Sequence, residues 1–272
     1  MLVSSYDFYP CLSVIKILPS WIKQNGSTKL FEKWQKSFVS FFAKDEFSMK
    51  SASLIGSGFL YMLNGKHPCI VTAAHVVHDL QKSSVPFFSI EGDKYIFHKL
   101  NVLYNDKKDY AIIPFSEEML ALEKSWLFFS SDERPLMNKT SSFVIMGYPS
   151  SKNALHIDRA NKGLYPYNIT FHSFQYNKEN EDVYFWLDEK AKNKNIIFEE
   201  RSISKSLPLP SWRGMSGCVI AQIMEHQITG DFTLRAVGIL KEHKKRLKDK
   251  YLVGCTFVPF ADEVNTYIRK YI

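Results

Sequence analysis

Gly56-Ser57-Gly58-Phe59-Leu60, followed by Cys69-Ile70-Val71-Thr72-Ala73-Ala74-His75, is the stretch on which the fold turns. A glycine-flanked apolar strand leads through Asn64-Gly65 into a second strand that ends in Thr-Ala-Ala-His. Asn-Gly between two apolar runs is a strong hairpin signal, because both residues tolerate the left-handed backbone of a tight turn. Working outward, similar short apolar runs recur. They lie at residues 53–63, 68–72, 87–90, 95–103, 110–114, 141–147, 169–175, 183–187, 218–224, 233–240 and 251–258, with turn residues such as Glu91-Gly92-Asp93 and Gly230-Asp231 between them. Many short strands with few helices between them predict an all-β barrel or sandwich.

The flanks read differently. Ser27 or Thr28 can cap a helix reaching about Lys44, with Leu30, Phe31, Trp34, Phe38, Phe41 and Phe42 near helical spacing. Residues 1–50 are therefore expected to be an N-terminal helical extension packed on a main body of residues 51–272. Basic residues flank the apolar stripe, which makes membrane-surface contact the lesser reading. Phe260–Ile272 reads as a closing helix, with Val264, Tyr267 and Ile268 on one face. Residues 150–210 are long for a strand connection, and read either as a substrate-binding rim or as a strand-pair excursion.

At 272 residues the chain can bury a core without disulfides or a structural metal. A formal charge of +7 permits attraction to nucleic acid or membranes, but a solvated basic surface is the simpler account and no specific nucleic-acid partner is expected. The densest run, Lys241–Lys250, lies between two strand-like segments and reads as a basic hairpin tip. Of the four cysteines, Cys69, Cys218 and Cys255 sit inside apolar runs, where a thiol behaves as a small hydrophobe; the fourth is Cys11. None has metal-ligand spacing, so no metal and no cofactor are expected. No secretory leader and no apolar stretch of membrane-spanning length are legible, which favours a reduced, cytoplasmic setting over unconventional export.

Three segments carry chemistry. His75 ends the hairpin; Asp109 stands directly before the apolar run Tyr110-Ala111-Ile112-Ile113; Ser216 lies in Gly214-Met215-Ser216-Gly217, which leads into Cys218-Val219-Ile220. A serine hydroxyl needs a neighbouring base to act as a nucleophile near neutral pH. Histidine, with an ordinary pKa of about 6.5, is mostly neutral there yet able to accept a proton. A carboxylate then holds the imidazole in one tautomer and stabilises the imidazolium. Gly214 frees the backbone so that its N–H and that of Ser216 can face a developing oxyanion. Asp106 is the nearest rival to Asp109 and Asp79 a more distant one; the position of Asp109 at the mouth of the apolar run favours it. His78 and the remaining histidines read as structural.

In this order and setting, the motifs resemble those of the trypsin-like (chymotrypsin-fold) serine peptidases over about residues 51–270, where Thr-Ala-Ala-His carries the base, Asp-x-Ala the carboxylate and Gly-x-Ser-Gly the nucleophile. The resemblance implies two antiparallel six-stranded Greek-key barrels, at about 51–130 and 138–260, and a serine endopeptidase acting on protein or peptide substrates. Gly147-Tyr148-Pro149, Val237-Gly238-Ile239 and Val253-Gly254 are similar to poorly characterised bacterial, intracellular members. A scaffold of this kind with negligible turnover, used for binding or regulation, is the alternative.

The departures are specific. Val76 and Trp212 stand where secreted members have cysteines, which agrees with a reducing compartment. Met215 replaces the Asp of the family's zymogen switch, so the resemblance implies either constitutive competence or control through the N-terminal extension or a regulatory partner. Pro210 stands where basic-specific members have Asp, and Leu240 where glutamyl-specific members have His. Pro210, Ser211, Leu240, Lys241 and Gly254 are the expected walls of the specificity pocket.

Overall fold

The computed structural model describes residues 12–14, 27–44, 51–63, 65–97, 102–122, 125–130, 143–150, 153, 155–156, 164, 166–171, 174–177, 179–187, 196–199, 212–226, 228–229, 232–246 and 249–256. In chain order they form β1 (Leu12–Val14), α1 (Ser27–Trp34), β2 (Phe38–Lys44), β3 (Ser51–Leu63), β4 (His67–Thr72), α2 (Ala74–Gln81), β5 (Phe87–Ile90), β6 (Asp93–Ile96), β7 (Leu103–Asn105), β8 (Tyr110–Pro114) and α3 (Glu117–Leu120). Then come β9 (Phe129–Ser130), β10 (Phe143–Gly147), β11 (Leu155–His156), β12 (Tyr167–Phe171), β13 (Gln175–Tyr176), β14 (Asp182–Trp186), β15 (Ile196–Glu199), β16 (Val219–His226), β17 (Phe232–Arg246) and β18 (Asp249–Thr256).

The strands make two sheets with the same internal logic. The first runs β6-β5-β2-β3-β4-β8-β7, and the second β13-β14-β18-β17-β16-β10-β12-β15. Within the first, β2 pairs with β3 and β5, β3 with β4, β4 with β8, and β8 with β7, all antiparallel. Within the second, β10 pairs with β12 and β16, β16 with β17, β17 with β18, and β18 with β14, again antiparallel. Taking β2, β3, β4, β5, β7, β8 and β10, β12, β14, β16, β17, β18 as corresponding sextets, both sheets follow one Greek-key ring. Each leaves a single step of that ring unpaired among the described residues: β5 to β7 in the first and β12 to β14 in the second. Aromatic packing bridges the second seam, with the Phe171 and Phe185 rings 4.9 Å apart.

Strand periodicity explains the packing. Successive side chains point to opposite faces, and several strands are apolar on both. Leu60, Ile70, Ala111 and Ile113 fill the interior of the first sheet, while Phe59, Tyr61, Val71 and Ile112 turn the other way. There they meet Val144, Met146, Val219, Ala221 and Ile239 of the second sheet in a shared core between the two. Phe143, Ile145, Ile169, Phe185 and Ile220 fill the second interior. Phe59 is fully buried in the shared core, so truncating it to Ala costs about 3–5 kcal/mol.

Four expectations are corrected. The predicted helix stops at Trp34, and after a short 3-10 turn the chain becomes β2, so strand residues of the first sheet begin at Phe38 rather than about Ser51. The apolar residues of 38–42 serve two faces: Phe38 and Phe42 enter the shared core, Val39 and Phe41 the first interior. Two-sided burial in a strand rich in aromatics had imitated a helical stripe. Second, the basic run does end a hairpin, but the strands reach further into it than expected: β17 continues through Arg246 and β18 resumes at Asp249, with Lys244 opposite Tyr251 and Lys245 opposite Lys250. Third, residues 95–103 split between β6 and β7. Fourth, residues 169–175 split between β12 and β13. The closing helix at 260–272 lies outside the described residues. No helix among the described residues is long and apolar enough to cross a membrane.

Candidate active site

The first sheet supplies a side-chain pair. β4 ends at Thr72, Ala73 is extended, and α2 begins at once, making His75 its second residue. Val76, Val77 and Leu80 of this helix are fully buried, which turns the opposite face, with His75 and His78 three residues apart, toward the β7–β8 turn. That turn presents Asp106 and Asp109 at the same spacing. His75 Nδ1 lies 2.9 Å from Asp109 Oδ2 and 3.0 Å from Oδ1, and the His75 backbone N–H donates to Oδ1 at 3.1 Å. One turn of helix away, His78 Nε2 lies 2.6 Å from Asp106 Oδ1 in a solvent-exposed pair.

Asp109 occupies the left-handed region at φ +55, which costs a non-glycine residue of order 1 kcal/mol and is held by its surroundings. The Lys108 N–H donates to Asn105 Oδ1 at 2.9 Å, and Lys108 Nζ donates to the Asn180 carbonyl of the second sheet at 2.9 Å. The hydrogen bond to Asp109 is the main cause of a His75 pKa above its ordinary value of 6.5; partial burial opposes it, and the charges of Asp109, Asp79 and Glu242 add to it. With Nδ1–H directed at the carboxylate, Nε2 is the nitrogen left to accept a proton.

The second sheet supplies a wired turn. Between Trp212 and Ser216 every carbonyl is taken: Trp212 by the Met215 N–H at 3.0 Å, Arg213 by Ser150 at 2.7 Å, Met215 by Cys218 at 3.0 Å and Ser216 by Ser57 at 2.8 Å. The Gly214 carbonyl accepts from Ser57 Oγ at 2.7 Å. Among the described residues, the Gly214 and Ser216 N–H groups donate to no backbone carbonyl in this turn. Glycine is required at both bends. Gly214 has φ +86 and Gly217 φ +84; a Cβ on Gly217 would lie 2.2 Å from Thr72 Oγ1 and 2.3 Å from the Ser57 carbonyl.

The two halves meet in a cleft of about 560 Å³ lined by His75, Asp109, Trp212, Arg213, Ser216, Lys241, Glu242 and His243. The structure thus brings His75, Asp109, Gly214 and Ser216 to one region. Lys241 lines the cleft, but its ammonium is committed to Asp182 at 3.1 Å, with both side chains largely buried. Leu240 and Gly254 are not walls of this cleft. Leu240 is 2% exposed, and a Cβ on Gly254 would point into the second interior against Ile220. Pro210 and Ser211 lie outside the described residues.

Trp212, Arg213, Glu242 and His243 are wall residues that the sequence did not single out. The last two were concealed in the basic run, where the β17–β18 register shifts between Leu240 and Glu242 and three successive residues, 241–243, line the cleft. The rival carboxylates separate cleanly: Asp106 serves His78, and Asp79 lies 3.8 Å from Lys82 in an exposed pair. Cysteine chemistry has no footing at the three described thiols. Burial raises Cys69 and Cys218 well above the ordinary value and Cys255 to about 12, leaving them protonated. Among the described residues no group of three or more His, Cys, Asp or Glu could hold a metal ion.

No protein family's sequence profile matches the chain, and no curated protein matches it. Among solved structures, the chain is similar to the MamO protease domain of Magnetospirillum magneticum in its apo form, at 10% identity and TM-score 0.47 over 86% of this chain and 98% of that one. It is similar to a Glu endopeptidase in complex with MPD, at 15% identity and TM-score 0.47 over 86% and 90%. It is also similar to a chain from a study of coupled folding and binding by the intrinsically disordered Sesbania mosaic virus VPg protein, at 13% identity and TM-score 0.48 over 84% and 90%. With its two antiparallel Greek-key sheets and the cleft between them, the chain has a two-domain, trypsin-like β fold.

Proposed function

We propose that this chain is a serine endopeptidase that hydrolyses peptide bonds through an acyl-enzyme. Ser216 Oγ is the nucleophile, His75 Nε2 takes its proton, and Asp109 holds the imidazole by Nδ1 and stabilises its charge. The Gly214 and Ser216 N–H groups receive the oxyanion. Collapse of the tetrahedral intermediate expels the amine, which takes the proton from His75. A water deprotonated by the same imidazole then releases the acid and restores Ser216. No cofactor is needed for any step.

One observation carries the reading: His75 is gripped by both Asp109 oxygens on the wall of a cleft that Ser216 also lines. A fluorophosphonate probe tests it, since it labels only a serine activated in this way. Wild-type protein is expected to take the label and to cleave members of a peptide library, with both lost in Ser216→Ala. A folded wild-type chain that neither labels nor cleaves would overturn the proposal in favour of a binding module.

A further inference from the structure

Ser57 is the residue through which the first sheet holds the nucleophile turn of the second. It is fully buried and makes four hydrogen bonds to residues of three segments: β4, the chain just after β10 and the turn before β16. Its backbone N–H donates to the Ser216 carbonyl at 2.8 Å. Its carbonyl accepts from Thr72 Oγ1 at 2.7 Å, on the strand that leads to His75. Its Oγ accepts from the Tyr148 N–H at 2.9 Å and passes its single proton to the Gly214 carbonyl at 2.7 Å. A carbonyl oxygen can only accept, so the single hydroxyl proton goes to Gly214 while a lone pair takes the Tyr148 N–H.

The consequence for the turn follows from peptide geometry. In a trans peptide the C=O and the following N–H point in opposite directions. Ser150 fixes the Arg213–Gly214 peptide by its carbonyl, and Ser57 Oγ fixes the Gly214–Met215 peptide by the next one. The Gly214 N–H lies in the first plane, held by Ser150; Ser57 Oγ, with the Met215 N–H bond to the Trp212 carbonyl, holds the second, and the two together set the course of the turn from Gly214 to Ser216. Oxyanion donors contribute to rate only when they are aimed before charge develops. Gly147 packs closely on this hydroxyl: a Cβ there would lie 3.0 Å from Ser57 Oγ and 3.2 Å from its Cβ.

We propose that Ser57 is a positioning residue whose hydroxyl sets the oxyanion-binding turn, acting through the Gly214 peptide without touching substrate. The inference rests on the peptidase reading and adds to it a residue outside the Ser-His-Asp set. In Ser57→Ala the Tyr148 N–H and the Gly214 carbonyl both lose a buried partner, and the turn is free to relax.

The test compares wild type with Ser57→Ala, using the best-cleaved library peptide and its boronate analogue, which becomes tetrahedral on the serine. Expected in Ser57→Ala is a kcat lower by about 10–100-fold, short of the loss of a whole oxyanion donor. Boronate affinity should fall by a similar factor, while KM and the acid limb of the pH profile stay in place. Binding of the uncleaved peptide should be the same in Ser216→Ala and in Ser57→Ala/Ser216→Ala, which a merely destabilised cleft would not give. If Ser57→Ala does not fold, Ser57→Cys replaces it, because a thiol is similar in shape but a weak donor. Wild-type kcat and boronate affinity in a folded variant overturn the role of Ser57 and leave the peptidase reading standing. An inert wild type overturns both.

Discussion

The two sheets share a strand ring but contribute different kinds of chemistry to the cleft. The first presents side chains: an imidazole and a carboxylate on a short helix and a tight turn, the imidazole tuned by its hydrogen bond to the carboxylate. The second presents one hydroxyl, that of Ser216, on a backbone device: a turn in which every carbonyl from Trp212 to Ser216 is taken and glycines stand at both bends. The first half should therefore answer to charge and pH, and the second to the addition of a single Cβ. Failures of that division are the most informative results.

Short of removing the Ser216 hydroxyl itself, the largest effect is expected from Asp109→Asn. The amide cannot accept from Nδ1–H at both positions and favours the wrong tautomer, so kcat should fall on the order of 10⁴-fold with little change in KM. Loss of the hydrogen bond and charge that raise the His75 pKa should also move the acid limb of kcat/KM to lower pH. The sign for stability follows from the same shift. A pKa above the unfolded value of about 6.5 means that the folded state favours the imidazolium. The pair's contribution to stability is thus complete below that value and fades as pH rises through the raised one. Urea melts at pH 5.5 and 8.5, wild type against Asp109→Asn, read the difference, which should be smaller at the higher pH.

Next comes Gly217→Ala, which tests the backbone half. The methyl would overlap the Ser57 carbonyl and Thr72 Oγ1 in a left-handed conformation. A loss of roughly 3 kcal/mol in unfolding free energy follows from the combined strain and overpacking. A substitution at this position that left the denaturation midpoint unchanged would show that the turn is softer than its hydrogen bonds imply.

Much of this division was legible in the sequence, for identifiable reasons. His75, Asp109 and Ser216 announce themselves because each borders an apolar strand, and Gly214 because only a glycine suits its bend. The shared core concealed more. A strand buried on both faces loses its alternation, and so Phe38–Phe42 imitated a helix. The cleft wall was hidden for another reason: Glu242 and His243 line it beside a register shift, and no local pattern in a charged run signals one. Ser57 stood in plain view between two glycines, yet its role depends on Tyr148 and Gly214, which are remote in sequence and met by tertiary pairing alone.

A smaller effect is expected from Lys108, which joins the two halves beside Asp109. Its ammonium reaches the Asn180 carbonyl at 2.9 Å and Glu181 at 3.9 Å, and it is only 20% exposed. Lys108→Met keeps most of the apolar stem and removes the charged bond, so stability should fall by about 1–2 kcal/mol. The kcat should drop several-fold as the Asp109 turn loosens. An unchanged kcat with lowered stability would make Lys108 a fastener of the sheets with no part in placing the carboxylate.

The smallest effect belongs to the second His–Asp pair, which serves as an internal control on the first. His78 and Asp106 repeat the residue types and the spacing of His75 and Asp109, and their 2.6 Å separation is the shorter of the two. They differ in setting. The Asp106 side chain is 67% exposed against 22% for Asp109, and no backbone N–H of α2 is bonded to Asp106 as that of His75 is to Asp109 among the described residues. Water competes for an exposed pair and salt screens it, so its contribution is at most about 1 kcal/mol despite the short contact. Asp106→Asn should therefore leave kcat, KM and the acid limb unchanged and shift stability by no more than about 0.5 kcal/mol, within the scatter of surface substitutions. The result discriminates between two accounts of the site. If enclosure by the cleft and the turn makes Asp109 matter, its exposed twin is silent; a large loss in Asp106→Asn would instead mean that the exposed pair helps to place the first through α2.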